Sequence, residues 1–327
     1  MENDTLHQVA MKYAKKQATL VDHFMKSLEF MKRVPWITAT HGLMNQYEEV
    51  TNVEGGDFKD LDAPFATMSA DTSIKRVQLK VMGGEMSVSE DAALAMDNST
   101  TDSAVAAARY FAKQSPLVLN ASGKVVEKHF IYSILYPAML AYNKKIKADA
   151  TKRTMFSAGG TGSTNYSIFA IRQVKEQNCG VVSPIGKNKD ELMSMEWLNG
   201  GERHFINHGK NEGKIGYEAT WKAMLEYQLA CPEYLGGIFN IDPANSHMVT
   251  ASMIDDLLDS VEADTSDTIL VMARGMASKL GNLKWEKIQL DNENESVNTK
   301  ILKWNGIPII GTNTMLKGTE EAAVLPW

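Results

Sequence analysis

The sequence has few of the features on which membrane and redox functions depend. Its two cysteines, Cys179 and Cys231, stand far apart and form no Cys-x-x-Cys pair, which indicates a reducing compartment or simple buried thiols. No apolar run approaches the ~18 residues of a membrane helix. The first residues also lack the basic and apolar regions of a signal peptide. We therefore expect a cytosolic, soluble product as translated, without membrane contact.

Recognisable catalytic motifs are also missing. Gly159–Thr164 resembles a phosphate-binding loop, but no Gly-Lys-Ser/Thr ends it and a strand pattern follows it, which favours a flexible linker. His204 and His208 have the spacing of two metal ligands on one helical face, yet no Glu follows His204 in the His-Glu-x-x-His manner. Loop histidines are the simpler interpretation, and a metal enzyme using this pair is the alternative of a different class. We predict no enzyme, no catalytic or metal-binding residue and no cofactor.

The charge balance argues against a protein that binds nucleic acid through a broad basic face. The chain of 327 residues has a formal net charge of -6. A basic cluster nevertheless follows a predicted helix and could contact phosphates, so a nucleic-acid binder is another alternative. The cluster contains Lys144, Lys145, Lys147, Lys152 and Arg153.

The clearest local pattern lies between Tyr217 and Leu229. Every odd position there is apolar or aromatic, and nearly every even position is polar. This period of two predicts a half-buried strand, although many of the residues individually favour a helix. The pattern should decide, because a helix would scatter the aromatic side chains around its circumference.

Other segments predict a mixture of helices and strands. Apolar steps of three and four residues before Pro35 predict a helical arm. Gly83-Gly84 predicts the turn of a β-hairpin, and Asn305-Gly306 predicts a second hairpin, whose Pro308 indicates an edge strand. Further predicted helices lie at 104–112, capped by Asp102 or Ser103, at 122–136, where Gly123 weakens the start, from a Thr250 cap to Val261, and at 275–280. Ser115-Pro116 is a second helix-start signal. Strands are predicted at 166–171 and 269–273, and a long loop around 54–62.

Several segments together resemble the major capsid proteins of tailed double-stranded DNA bacteriophages, which have the Hong Kong 97-type fold. The similarity is greatest to the epsilon-fifteen-like branch of short-tailed phages. It is carried by AGGTGSTNYSIFAI at Ala158–Ile171, VVSPIGKNKDEL at Val181–Leu192, IFNID at Ile238–Asp242, WNGIPIIGTNTML at Trp304–Leu316 and VPWI at Val34–Ile37.

The resemblance implies an α+β fold with four parts. Residues 1–35 would form an N-terminal arm and 36–82 an extended loop. Residues 83–165 and 296–327 would form a peripheral domain with a spine helix near Ser122–Tyr136, and 166–295 an axial domain. The tip of the extended loop is the candidate subunit contact; it contains Gly55, Gly56, Asp57, Phe58, Lys59 and Asp60.

The implied function is that of a structural coat protein located in the virion and made in the host cytoplasm. Hexamers and pentamers of the chain would enclose double-stranded DNA without sequence-specific binding. Because no segment precedes the arm, we expect a separate scaffolding protein. A portal protein is a further implied partner, and the resemblance also allows a decoration protein. An encapsulin-like nanocompartment shell is the alternative within the same fold.

Overall fold

The computed structural model describes Phe24 and residues 28–61, 64–65, 67–97, 100–147, 149–174, 179–187, 193–207, 209–282, 288–292 and 300–326. Most of the predicted helical arm lies outside these residues, and its end is helix α1, Glu29–Arg33. Within the described part, the strands form a six-stranded sheet, a seven-stranded sheet and a two-stranded ribbon. One apolar core connects the two larger sheets and the helices.

The six-stranded sheet is built around its longest strand, β10. Strand β4 pairs with one side of β10, and β9, β8 and β7 follow one another along the other side. Strand β1 pairs in parallel with β7. The strands are β1 Trp36–Thr38, β4 Lys80–Ser89, β7 Gly180–Ser183, β8 Met193–Trp197, β9 His204–Phe205 and β10 Ile215–Gln228.

The predicted strand between Tyr217 and Leu229 is confirmed by β10. Its odd-numbered side chains from Tyr217 to Tyr227 are buried, and the Tyr227 ring lies 5.7 Å from that of Phe130 on a long helix. Glu218, Glu226 and Gln228 are buried as well, so β10 is exposed on its polar face only in the middle.

The hairpin predicted at Gly83-Gly84 is wrong, because β4 runs straight through both glycines. A Cβ atom on Gly83 would lie 2.6 Å from the carbonyl oxygen of Trp221 on β10. The glycine therefore permits close approach of two strands and makes no turn.

The two helices predicted at 104–112 and 122–136 are one continuous long helix, Ser103–Lys145. It consists of α3 Ser103–His129, a π-helical turn Phe130–Leu135 and α4 Tyr136–Lys145, and it is preceded by α2 Glu90–Met96. Asp102 caps it as predicted, accepting from the Ala104 amide at 2.9 Å. Pro116 lies inside α3 and does not start a helix.

Gly123 is a poor helix former, and close packing explains why it lies within the long helix. A Cβ atom there would lie 2.5 Å from the carbonyl oxygen of Phe24 and 2.8 Å from Leu28 Cδ1. The chain leading to α1 therefore crosses the helix at this residue, where a side chain would be in the way.

The seven-stranded sheet has the order β13-β14-β15-β12-β6-β11-β5. The helix predicted after Thr250 is α5, and the Thr250 hydroxyl accepts from the Met253 amide at 3.3 Å. The elements are β5 Met155–Ser157, β6 Tyr166–Arg172, β11 Leu235–Ile241, α5 Ala251–Ser260, β12 Thr268–Ala273, α6 Arg274–Asn282, β13 Ile288–Asn292, β14 Lys300–Trp304 and β15 Ile307–Thr312.

The hairpin predicted at Asn305-Gly306 is confirmed, with both residues at positive φ, 47° and 85°. The edge position predicted from Pro308 is wrong, since β15 lies between β14 and β12. Pairing with β12 begins at Ile309, one residue after the proline, so the missing N–H is not needed.

The sheets do not follow the predicted boundary at residue 166. Strands β7 to β10 of the segment 166–295 lie in the six-stranded sheet together with β4, whereas β6, β11 and β12 belong to the other sheet. Strand β15, predicted to return to the part containing residues 83–165, pairs with β12. Each sheet therefore combines residues from both predicted domains.

The C-terminal segment is held to the long helix by two buried carboxylates. Glu127 accepts from the hydroxyls of Thr312 and, at 2.6 Å, Thr314. Glu320 accepts from the Tyr132 hydroxyl at 2.5 Å. Burial raises the pKa of both carboxyl groups, because it penalises their charged forms.

We expect Gly123→Ala to lower the free energy of unfolding by up to about 2 kcal/mol. Alanine improves helix propensity by roughly 1 kcal/mol, but its methyl group collides with Phe24 and Leu28, and overpacking costs about 1–3 kcal/mol. Gly275→Ala in α6 is the control, because a Cβ atom there meets nothing within 4 Å. Urea denaturation measures both; equal stability of the two variants would contradict the crossing at Gly123.

Candidate assembly surface

The two-stranded ribbon consists of β2, Met44–Glu54, and β3, Ser69–Gln78. They pair from Met44 and Gln78 at the base to Glu54 and Ser69 at the far end, with one bulge after Val50. Among the described residues, no other strand pairs with the ribbon. No side chain of β3 is buried, and Ile74 is 63% exposed. An isolated pair of strands has marginal stability, so this ribbon depends on what holds it at its base and covers its faces.

The ribbon tip, which consists of residues 55–61, 64–65 and 67–68, contains all six predicted contact residues. Each of them is exposed, and the Phe58 amide donates to Asp57 Oδ1 at 2.7 Å. Lys59 places its ammonium 3.7 Å from the centre of the Phe65 ring, a cation–π contact. The structure thus brings the six residues together at the end of one projection.

The apolar character of the tip was not predicted, apart from Phe58. Leu61 is 99% exposed, and Phe58, Phe65 and Met68 are also largely exposed. Such a concentration of exposed large apolar side chains marks an interaction surface. One feature of the sequence could have indicated this surface. These apolar residues lie within a Gly- and Asp-rich segment that has neither helical nor strand periodicity.

A buried amide pair anchors the base of the ribbon. Asn45 donates through Nδ2 to Gln228 Oε1 at 2.5 Å, and its Oδ1 accepts from the Thr40 amide at 2.9 Å. The Tyr47 hydroxyl donates to the carbonyl oxygen of Leu229 at 3.4 Å. Because Gln228 ends β10, these bonds fix the ribbon to the strand at the centre of the six-stranded sheet.

The predicted buried thiols are confirmed, and the fold brings them together beside Tyr47. Cys179 and Cys231 are buried and form no disulfide, and the pairing of Gly180 with Gln228 places them at neighbouring strand ends. A hydrogen bond between the two thiols lowers the pKa of Cys179 to about 7 and raises the pKa of Cys231.

The metal-enzyme alternative depends on the pair His204 and His208. His204 uses one ring nitrogen to contact Glu218 Oε2 at 2.9 Å and the other to contact the Glu202 carbonyl at 3.1 Å. The bond to Glu218 raises the pKa of His204, because it favours the charged imidazolium. His208 lies outside the described residues. Within those residues, no three His, Cys, Asp or Glu side chains are grouped to hold a metal ion.

The glycine-rich segment Gly159–Thr164 packs against the end of β11. Gly160 donates its amide to the carbonyl oxygen of Asn240 at 2.8 Å, and the Thr164 hydroxyl donates to Asp242 at 3.1 Å. Strand β6 follows, so the segment does not lead directly into a helix as a phosphate-binding loop does. The segment is a hydrogen-bonded connection between strands, in contrast to the free linker that was predicted.

Comparison with known proteins finds similarity to solved structures only. No family model and no curated protein matches the sequence. A chain in the near-atomic structure of bacteriophage Epsilon15 is similar, with a TM-score of 0.54 and 16% identity, over 88% of this chain and 87% of that one. The chain has a Hong Kong 97-like fold.

Two further structures are similar at lower scores. The capsid of bacteriophage JBD30 has a TM-score of 0.44 and 12% identity, covering 90% of this chain and 94% of that one. A virus-like particle from Pyrococcus furiosus has a TM-score of 0.35 and 9% identity, covering 69% and 99%. The predicted α+β Hong Kong 97-like fold is confirmed by the Epsilon15 likeness. In the part of the chain that is described, no helix is long and apolar enough to cross a bilayer.

We expect Gln228→Met to lower the free energy of unfolding by about 1–3 kcal/mol, because it leaves the buried Asn45 amide without its acceptor. Lys222→Met on the same strand is the matched control. Lys222 is partly exposed, and its ion pair with Glu196 at 3.3 Å contributes less than about 1 kcal/mol.

Urea denaturation and limited proteolysis of the ribbon measure the two variants. We expect unfolding at lower urea concentration and faster ribbon cleavage for Gln228→Met, and neither change for Lys222→Met. Equal behaviour of both variants would contradict the anchoring role of the amide pair.

Proposed function

We propose that this chain is the major capsid protein of a tailed double-stranded DNA phage. It self-assembles into hexamers and pentamers of an icosahedral head, and its place is in the virion. One observation supports this proposal most directly. On a Hong Kong 97-like fold, a ribbon without a core of its own is anchored at its base and exposes an apolar tip.

The subunit leaves apolar side chains of the ribbon exposed. The ribbon has no core of its own, and Phe58, Leu61 and Phe65 at its tip are 83% exposed or more. Burying such side chains against another copy removes apolar area from water at about 25 cal/mol per Å². A repeated contact of one copy with the next closes into rings, which is the geometry of a capsomer.

Two of the parts named from the sequence, the extended loop and the arm, keep their proposed roles. Residues 36–82 are the extended loop that reaches a neighbouring subunit, and residues 1–35 are the arm. A separate scaffolding protein and a portal protein are proposed partners, with a decoration protein as an addition to the finished shell. The Epsilon15 likeness supports this proposal through the fold.

Electron microscopy of the expressed chain, alone and with a scaffolding protein, tests the proposal. We expect closed shells, tubes or capsomer rings. A small monodisperse monomer in every condition would refute it.

We expect Phe58→Ser/Phe65→Ser to prevent or strongly reduce assembly while the subunit stays folded. These side chains contact little of their own subunit, so the serine substitutions remove apolar burial only at the contact between copies. The Phe58→Leu/Phe65→Leu variant, which keeps apolar side chains, is the matched control and should assemble. Sedimentation measures the assembled fraction; full assembly of the serine variant would show that the tip is not a contact surface.

A further inference from the structure

The exposed face of the long helix carries a row of lysines. Exposed positions recur along it at 109, 113, 117, 121, 124, 125, 128, 133, 137, 141, 144 and 145, and continue to 147. We call the basic part of this row the lysine face; it contains Lys113, Lys124, Lys128, Lys144, Lys145 and Lys147.

Acidic residues are nearly absent from the same segment. Between Ser103 and Lys147 the sequence has a single carboxylate, Glu127. That carboxylate is buried and turned toward Thr312 and Thr314. The lysine face therefore has one sign of charge over its whole length, in a chain whose total charge is negative.

The π-helical turn keeps both ends of the lysine face on one side of the helix. Exposed positions step by three or four residues in α3 and α4, but by five from Lys128 to Ser133, where the turn adds a residue. Without that extra residue, the lysines of α4 would be rotated away from those of α3. At 1.5 Å per residue, Lys113 and Lys145 are about 48 Å apart along the axis.

No carboxylate of the described residues forms an ion pair with any of these six lysines, whereas neighbouring basic groups are paired. Arg109 contacts Asp97 at 2.9 Å, Lys80 contacts Glu226 at 2.9 Å and Lys152 contacts Asp149 at 3.9 Å. Like charges four residues apart on a helix, such as Lys124 and Lys128, repel each other. A row of this kind is stabilised by an external polyanion.

The shape of the row fits a rigid polyanion. Small residues, including Ala121, Ser133 and Ala141, separate its basic groups, and Leu117 and Val125 are its large exposed apolar side chains. Duplex DNA is a rod with one charge per about 1.7 Å, and it needs a row of charges and no apolar groove. An acidic polypeptide would gain from a groove that buries its own apolar residues.

We propose that the lysine face binds the phosphate backbone of the enclosed double-stranded DNA, without base recognition, and that the long helix lines the inner wall of the shell. This inference rests on the proposed capsid function and adds which surface of the subunit faces the DNA. It extends the basic cluster predicted at Lys144–Arg153 toward the N-terminus of the helix. The negative charge elsewhere confines contact to a narrow strip, so the binding is weak and sensitive to salt.

The test compares two triple variants of the full chain as unassembled subunits. Lys113→Gln/Lys124→Gln/Lys128→Gln removes half of the lysine face, and Gln retains helix propensity. Lys187→Gln/Lys210→Gln/Lys317→Gln removes the same charge from exposed positions elsewhere. The probe is a fluorescent 30-base-pair duplex of random sequence, measured by anisotropy between 25 and 200 mM NaCl; polyglutamate is the second probe.

We expect the lysine-face variant to bind DNA at least about tenfold more weakly at 50 mM salt. The slope of log affinity against log salt should fall by about 0.9 for each lost phosphate contact. The control variant and a Lys113→Arg/Lys124→Arg/Lys128→Arg variant should bind like the parent chain.

Three outcomes would overturn the inference: no DNA binding by the parent, equal loss in both glutamine variants, or loss of polyglutamate binding alone. Electron microscopy of the same variants separates this failure from failure of the capsid function. If shells form normally but DNA binding does not depend on the lysine face, the inference is overturned and the proposed function is not. Absence of shells in the parent would instead refute the proposed function.

Discussion

The hydrogen bond between Asn45 and Gln228 connects a part of the subunit that has no core to the strand around which the core is built. On one side of it, β10 pairs with four strands and packs against the long helix. On the other side, the ribbon extends with an apolar tip exposed. A buried amide pair resists motion because either partner alone would be costly to leave unpaired. The ribbon is therefore fixed at its base and incomplete at its tip.

This asymmetry explains how one chain can be stable alone and still be suited to assembly. The core supplies the stability of the subunit, and the ribbon and tip supply surface that a second copy can cover. The proposed lysine face adds a third function to the same framework, since the long helix buries one side against the β10 sheet and leaves the basic side outward. Core, contact surface and charged surface are thus separated by the geometry of two elements, β10 and the long helix.

Much of this was predictable where the determinants are local. The alternation along β10, the Asn305-Gly306 turn and the caps at Asp102 and Thr250 depend on neighbouring residues, and all were predicted. Gly83 was wrongly assigned to a turn, and the reason for Gly123 in the long helix was not predicted, because the residues that require these glycines, Trp221 and Phe24, are distant in sequence. The tip residues were predicted from their position in the fold that the resemblance implies. The anchor at Asn45 was not, because nothing local marks an amide whose partner is 183 residues away.

The central claim is that the ribbon is completed by another copy of the chain. Hydrogen–deuterium exchange of the ribbon amides in the isolated subunit and in assembled particles measures this most directly. The account predicts that exchange over 44–54 and 69–78 slows strongly on assembly, while the amides of β10 change little because they are already protected. Equal exchange of the ribbon in subunits and particles would contradict it.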